Sequence, residues 1–175
     1  LFCYANPAVP ALLEALANAP TLLLVTPGPA EQRVTRTLGP ALTRGALRAV
    51  VLPYLTQRDF DALLWTCDLN FVRGEDSFVR AQWAGKPFVW QIYPQHDGAH
   101  HEKLDAFLAL HLEGADSELA DHLQSLWRIW NGLSSSALGA IAHPRWRRHC
   151  EAWRGRLQLQ PDLTQQLLWF ASERR

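Results

Sequence analysis

The feature that most constrains this chain is a rhythm of apolar segments. Short apolar runs at residues 1–4, 21–26, 47–52, 68–72 and 87–92 alternate with segments of helical spacing at 8–19, 30–38, 58–65 and 77–84. Each run is apolar on both faces rather than at every second residue, which is how strands covered on both sides read. The order βαβαβαβαβ predicts a parallel sheet with helices on both faces, joined by right-handed crossovers. Asp59 and Asp61 place acidic charge early in the helix over 58–65, and Gly85-Lys86-Pro87 stops the helix over 77–84.

After Ile92 the spacing is helical only, over about 101–112, 116–130, 144–153 and 162–172. Without an internal repeat or a second apolar core, residues 1–175 read as one α/β domain. Its predicted form is a Rossmann-like parallel sheet with helices on both faces and a helical C-terminal extension from about residue 100.

At 48% hydrophobic and 19% charged residues, a chain of 175 can bury a sizeable core, and disorder is not expected. Lys plus Arg and Asp plus Glu both number 17, so net charge gives no reason to expect a nucleic acid or an anionic membrane as partner. One local stretch, Arg145 to Arg156, interleaves arginines with Trp146 and Trp153 in a way that also suits nucleic acid. The tryptophans are seven apart, however, which puts both on one buried helical face and leaves the arginines solvated. Trp127 and Trp130 read as a second buried stripe. The apolar runs, about five residues long, fall far short of the roughly 20 needed to cross a bilayer. Cys3, Cys67 and Cys150 form no C-x-x-C pair and lie among apolar neighbours, as reduced thiols of a cytoplasmic protein do. The chain lacks methionine and begins inside an apolar, aromatic run, so it reads as part of a longer protein with a domain upstream.

In open parallel sheets ligands gather beyond the carboxyl ends of the strands. That selects residues 26–28, 53–60, 73–77 and 93–100. The first has no G-x-G-x-x-G or P-loop spacing, which removes support for a dinucleotide or triphosphate site. Arg73-Gly74-Glu75-Asp76-Ser77, between a strand and a helix, is the informative segment. Gly74 allows close approach of the backbone, Arg73 offers a bidentate charge, and Ser77 offers its hydroxyl and the first helical N–H groups to a phosphate. Glu75 and Asp76 would repel a phosphate and therefore suit neutral hydroxyls or a cation. Two alternatives stand beside this reading: Asp76 or Ser77 caps the helix while Glu75 is solvated, or the acids hold Mg²⁺. His96, His100 and His101, with Asp97 and Glu102, have zinc-ligand chemistry, but roles in a polar loop and a helix start are expected of them.

The run Gly74-Glu75-Asp76-Ser77-Phe78, Arg80-Ala81, Gly85-Lys86-Pro87-Phe88 and Trp90, followed by Tyr93-Pro94-Gln95, resembles the donor-binding motif of GT-B glycosyltransferases. With Leu55-Thr56-Gln57-Arg58-Asp59-Phe60-Asp61 and Leu64-Trp65, Cys67-Asp68 and Asn70-Phe71-Val72 ahead of it, the match is closest to the protein-arginine rhamnosyltransferases that modify elongation factor P, the EarP family. The similarity is strongest over residues 2–108. His96 and Ala5 depart from the pattern.

The resemblance implies the C-terminal, nucleotide-sugar-binding half of a two-domain enzyme whose N-terminal acceptor domain is absent from this chain. It implies dTDP-β-L-rhamnose as donor, no metal or other cofactor, and an arginine of bacterial elongation factor P as acceptor, glycosylated with inversion. Gln57 and Phe60 would contact the thymine, Arg73 and Tyr93 the diphosphate, and Asp76 and Ser77 the ribose, diphosphate or sugar, with Gly74 in the turn. Glu75 would stand nearest the chemistry, and the general base would be an aspartate of the absent domain. This chain alone is then expected to bind donor weakly and turn nothing over.

Overall fold

The computed structural model describes residues 1–95 and 98–173. Its elements are α1 (Val9–Leu16), β1 (Thr21–Val25), α2 (Pro29–Leu38), β2 (Thr43–Arg44), β3 (Leu47–Val51), α3 (Gln57–Thr66) and β4 (Asn70–Arg73), then α4 (Asp76–Ala84), β5 (Phe88–Gln91), α5 (Ala99–His111), α6 (Ser117–Trp130), α7 (Trp146–Gln158) and α8 (Leu163–Glu173). The alternation predicted for the first half is present. β1 pairs with β3 in parallel, from Thr21 opposite Leu47 to Val25 opposite Val51, and β4 pairs with β5 in parallel, from Asn70 opposite Phe88 to Arg73 opposite Gln91. All four residues of β5 are buried, as the doubly apolar reading of that run requires.

Two details differ from the expectation. Residues 1–4 do not form a strand. Only the first two pair: the Leu1 amine donates to the Leu24 carbonyl at 2.5 Å, Thr26 N–H donates to the Leu1 carbonyl, and Phe2 N–H donates to the Phe71 carbonyl at 2.9 Å. These bonds lay Leu1 and Phe2 between β1 and β4 and join the two small sheets. Beyond them the backbone bends at Tyr4 and Ala5, where Tyr4 N–H is taken by the Gln91 side-chain oxygen instead of a strand. The second difference is β2, which pairs antiparallel with β3 through the turn at Gly45. Gly45 has φ +54°, and a Cβ there would sit 2.7 Å from the Ala17 carbonyl oxygen, so conformation and close packing both select glycine.

Local chemistry sets the helix ends. The Thr56 hydroxyl accepts the Asp59 N–H at the start of α3, and the Asp116 carboxylate accepts the Leu119 N–H at the start of α6. Gly85, in the left-handed region, ends α4.

The helical segment that begins at Ala99 is an extension in sequence but not in packing. Leu104, Leu108, Leu123, Trp127, Trp130 and Trp146 join Val25, Phe71, Val72 and Phe88 in one core cluster. Trp127 and Trp130 are at most 1% exposed, and neither indole N–H has a hydrogen-bond partner among the described residues. Burying such a ring is worth roughly 4–6 kcal/mol in gross transfer free energy, more than the roughly 1–3 kcal/mol cost of an unpaired N–H. Trp146 and Trp153 are buried while Arg147 and Arg148 are exposed, as the seven-residue spacing predicts. α8 alone contributes nothing buried and exposes Leu163, Leu167, Leu168, Trp169 and Phe170.

This packing positions the site. On the α4 side, Trp153 of α7 donates to the Gln82 side chain, and Arg154 lies against Gly85. On the β5 side, Asn131 at the end of α6 accepts the Ile92 N–H and donates to the Trp90 carbonyl, taking the place of a neighbouring strand. No helix among the described residues is long and apolar enough to cross a membrane.

Candidate functional site

The carboxyl ends of Leu1-Phe2, β1, β3 and β4 converge on a cavity of about 520 Å³. It is lined by Phe2 and Tyr4, by Thr26 and Pro27 after β1, by Tyr54, Gln57 and Phe60 between β3 and the first turns of α3, and by Arg73, Glu75, Asp76 and Ser77 around the start of α4. A neighbouring cavity of about 340 Å³ shares Tyr4 and Glu75 with it and adds Gly74, Trp90, Tyr93 and Lys103. Gln57, Phe60, Arg73, Glu75, Asp76 and Ser77 therefore meet in the first cavity, while Gly74 and Tyr93 lie in the second, with Glu75 on the boundary.

Aromatic rings build the walls. Phe60 meets Phe2 edge-on at 5.5 Å, and Tyr4 meets Tyr93 edge-on at 5.6 Å. The Arg73 guanidinium rests 4.3 Å from the Phe2 ring centre and 4.7 Å from that of Tyr4. Rings so placed hold a cation without neutralising it. No carboxylate among the described residues pairs with Arg73, so its hydrogen-bonding edge remains available to an anion.

The two adjacent acids have different fates. Asp76 accepts from Arg80 Nε at 2.8 Å, and Arg80 also holds Asp61 of α3 at 2.9 Å. The hydrogen bond that Arg80 donates to Asp76, the largest influence, raises the Arg80 pKa above its ordinary value. Glu75 is exposed and has no ion-pair partner among the described residues. It occupies the N-cap position of α4 in helical conformation, and no side chain among the described residues caps this helix. The capping alternative for Asp76 or Ser77 is thus not what the structure shows.

Ser77 departs from its expected use. Its hydroxyl accepts Arg73 N–H at 3.2 Å and donates to the Arg73 carbonyl at 2.5 Å, and the side chain is buried. The oxygen is committed to closing the turn, so what this position can offer an anion is backbone N–H. The first hydrogen bond of α4 runs from Val79 N–H to the Glu75 carbonyl, leaving the amides ahead of it without partners inside the helix. Gly74 has φ +65°, and a Cβ there would lie 2.9 Å from the Tyr4 hydroxyl oxygen. Its small size therefore accommodates Tyr4.

Phe2 and Tyr4 are site residues outside the segments that the sequence selects, and Tyr54 lies within the selected segment 53–60 without a role assigned to it there. Phe2 and Tyr4 read as strand filler, although aromatics two apart at the carboxyl end of the first apolar run were an available signal. Among the described residues no three His, Cys, Asp or Glu side chains converge as metal ligands. His100 accepts the Gln95 N–H through Nδ1 and stands 4.1 Å from His101, ring centre to ring centre, while His96 and Asp97 lie outside the described residues. Burial pushes the Cys3 thiol up to about 11 and that of Cys150 up to about 12, so neither is a nucleophile at neutral pH.

Comparison with known proteins gives a consistent answer. The sequence model of the family described as Elongation-Factor P (EF-P) rhamnosyltransferase EarP matches residues 1–172. The protein-arginine rhamnosyltransferase of Pseudomonas aeruginosa is 45% identical over 186 residues, covering 99% of this chain and 50% of that protein. Its namesake from Pseudomonas putida is 45% identical over 183 residues, covering 97% and 48%. The Neisseria meningitidis protein of the same name is 35% identical over 153 residues, covering 77% and 38%. A solved structure described as the structural basis for EarP-mediated arginine glycosylation of translation elongation factor EF-P superposes with a TM-score of 0.84 at 42% identity, covering 99% of this chain and 59% of that one. The chain spans about half the length of the curated relatives it matches.

Proposed function

Because the chain belongs to the EarP family of elongation factor P rhamnosyltransferases, we propose that it is the donor-binding half of an inverting GT-B enzyme that moves rhamnose from dTDP-β-L-rhamnose to an arginine of elongation factor P. The observation that carries this reading is the division between the two acids: Asp76 is paired with Arg80, while Glu75 stands without a cation at the boundary of the two cavities.

The donor is taken to lie across the first cavity. Gln57 and Phe60 recognise the thymine, Phe60 by stacking, and Tyr54 and Phe2 extend the apolar wall on that side. Arg73 and the unpaired amides at the start of α4 answer the diphosphate charge, with Tyr93 steadying it from the second cavity. These groups supply the positive charge that a leaving diphosphate needs, so no metal is assigned a step. Asp76, already paired with Arg80, adds little repulsion and can accept from a hydroxyl of the ribose or sugar.

Glu75 acts on the acceptor. A guanidinium has a pKa above about 12 and a delocalised lone pair, which makes it a poor nucleophile. A carboxylate hydrogen-bonded to one edge orients the group and draws its positive charge toward that edge, leaving another nitrogen better able to attack. The anomeric C–O bond breaks, dTDP departs with the bonding pair, and a C–N bond forms on the opposite face. The nitrogen gives up its proton to a base assigned, by family resemblance, to an aspartate of the other half. Since elongation factor P is a translation factor, the reaction would be cytoplasmic.

Titration of the chain with dTDP and with UDP tests the donor assignment. Tighter binding of dTDP is expected, and equal binding would point to a GT-B domain for another nucleotide sugar. Mass spectrometry of elongation factor P treated with the full-length Glu75→Ala protein tests the catalytic assignment. Undiminished arginine glycosylation would favour a non-catalytic interaction module.

A further inference from the structure

We propose that Trp90 is a positioning residue for Glu75, acting through the carbonyl of Gly74; the inference rests on the role given to Glu75 above. Glu75 is exposed, and its side chain has no ion-pair partner among the described residues to orient it. Its placement therefore depends on the peptide unit that precedes it. That unit begins at a glycine with φ +65°, a residue type that leaves the following peptide plane free to rotate unless something holds it.

Trp90 is what holds it. The indole Nε1–H donates to the Gly74 carbonyl at 2.6 Å, and the Gly74 N–H donates to the Gln91 carbonyl at 3.1 Å. Both backbone groups of the glycine are thereby tied to β5, and the Gly74–Glu75 peptide plane is fixed. The indole is itself immobilised. It stacks on Phe78 of α4 at 4.0 Å and 17°, meets Phe107 edge-on at 6.0 Å, and its own backbone carbonyl accepts from Asn131. A path of direct contacts thus runs from the end of α6 through β5 to the turn that carries Glu75.

The target of the indole N–H separates this residue from the other buried tryptophans, of which Trp153 gives its N–H to the Gln82 side chain. Trp127 and Trp130 are buried with their N–H groups unpaired, so this core does not require a partner for an indole. At Trp90 the donor is aimed at the one carbonyl that sets the direction of the Glu75 backbone. Its ring also borders the second cavity beside Glu75 and Tyr93.

The test is Trp90→Phe in the full-length enzyme with dTDP-rhamnose and elongation factor P, compared with Glu75→Gln and with the double variant. Phenylalanine retains an apolar ring against Phe78 and deletes the donor. The expected result is a roughly ten-fold fall in kcat, the scale of one lost hydrogen bond, with KM for the donor within about two-fold of the parent. In the Glu75→Gln background, single-turnover rates should show no further fall, because a residue acting through Glu75 has nothing left to position. Benzothienylalanine at position 90, which fills the indole volume without an N–H, should reproduce the kcat loss if the phenylalanine variant folds poorly. Unchanged kcat in a folded variant, a loss confined to KM, or losses that multiply with those of Glu75→Gln would each overturn the inference. If Glu75→Gln itself keeps full activity, the reading of the site fails and this inference with it. If Glu75→Gln collapses while both position-90 variants remain active, only the inference fails.

Discussion

In the turn between β4 and α4 the backbone of Gly74 and the hydroxyl of Ser77 are spent on defined partners: the Arg73 backbone, the Trp90 indole and the Gln91 carbonyl. In the aromatic interior beneath α5, α6 and α7 the opposite holds. His111 is completely buried among Phe88, Phe107, Trp127 and Trp153, and neither of its ring nitrogens has a hydrogen-bond partner among the described residues. The interior tolerates unpaired neutral groups because apolar burial outweighs their cost. The turn cannot, because a short turn built on a half-buried glycine and polar residues has little apolar side chain to fix it, and hydrogen bonds must do so. The turn then leaves two charged side chains, Arg73 and Glu75, without ion-pair partners among the described residues. One region supplies rigidity, and the other presents charge to ligands.

The largest effect that would break this contrast is at Glu75. In the full-length protein, Glu75→Gln is expected to lower the glycosylation rate roughly 100- to 1,000-fold, the range for losing one preorganised electrostatic contact, with dTDP affinity nearly unchanged. Rapid-quench kinetics alongside nucleotide titration would check the split. A loss of affinity instead of rate would place Glu75 on the donor.

The interior is probed by pH. Burial, the largest cause, lowers the His111 pKa from its ordinary 6.5 to about 3. The folded state therefore keeps this imidazole neutral while the unfolded chain protonates it below pH 6.5. Stability from this residue is fully present above that pH and is lost as pH falls toward 3, by roughly 1.4 kcal/mol per pH unit. Denaturant titrations of the parent and of His111→Phe between pH 4 and 7 should differ in slope by about one proton. Parallel curves would show that His111 is not held neutral.

Gly74→Ala sharpens the comparison from the turn side. The new Cβ meets the Tyr4 hydroxyl and must adopt φ +65°, at a cost of roughly 1–2 kcal/mol in denaturant stability. Activity should fall further than that loss of stability explains, because Tyr4 and Glu75 both border the second cavity.

The sequence resolves these two regions unequally. The aromatic interior was legible because helical spacing alone places Trp127, Trp130, Trp146 and Trp153 inward. The strands β1, β3, β4 and β5 were legible as doubly apolar runs, and β4 and β5 are buried accordingly, whereas Leu22 of β1 and Arg48 of β3 lie exposed. What escaped depends on pairing that residue type does not announce. β2 is two residues long and exists only by its hairpin with β3, and Leu1-Phe2 pairs briefly because Tyr4 is drawn to the distant Gln91 side chain. In the site, residue types predicted the cluster at 73–77, but not how its groups are used. Ser77 read as a hydroxyl for a phosphate, whereas a turn that folds back on itself consumes that hydroxyl. Similarly, the i,i+4 spacing of Asp76 and Arg80 suits an ion pair, but no local pattern announces that Arg80 also holds Asp61, 19 residues away.

That last arrangement gives the smallest expected effect and the finest test. Arg80 joins α3, which carries Gln57 and Phe60, to the start of α4, and it sits partly in solvent, where ion pairs add little to stability. Arg80→Gln should therefore leave the melting temperature almost unchanged. It also leaves Asp76 uncompensated beside the groups assigned to the diphosphate, so dTDP affinity should fall roughly two- to five-fold at low ionic strength and recover as salt screens the repulsion. A salt-independent loss would mean that Arg80 acts by aligning the two helices. A salt-dependent one would mean that the turn neutralises one of its adjacent acids so that an anion and a cation can be bound side by side.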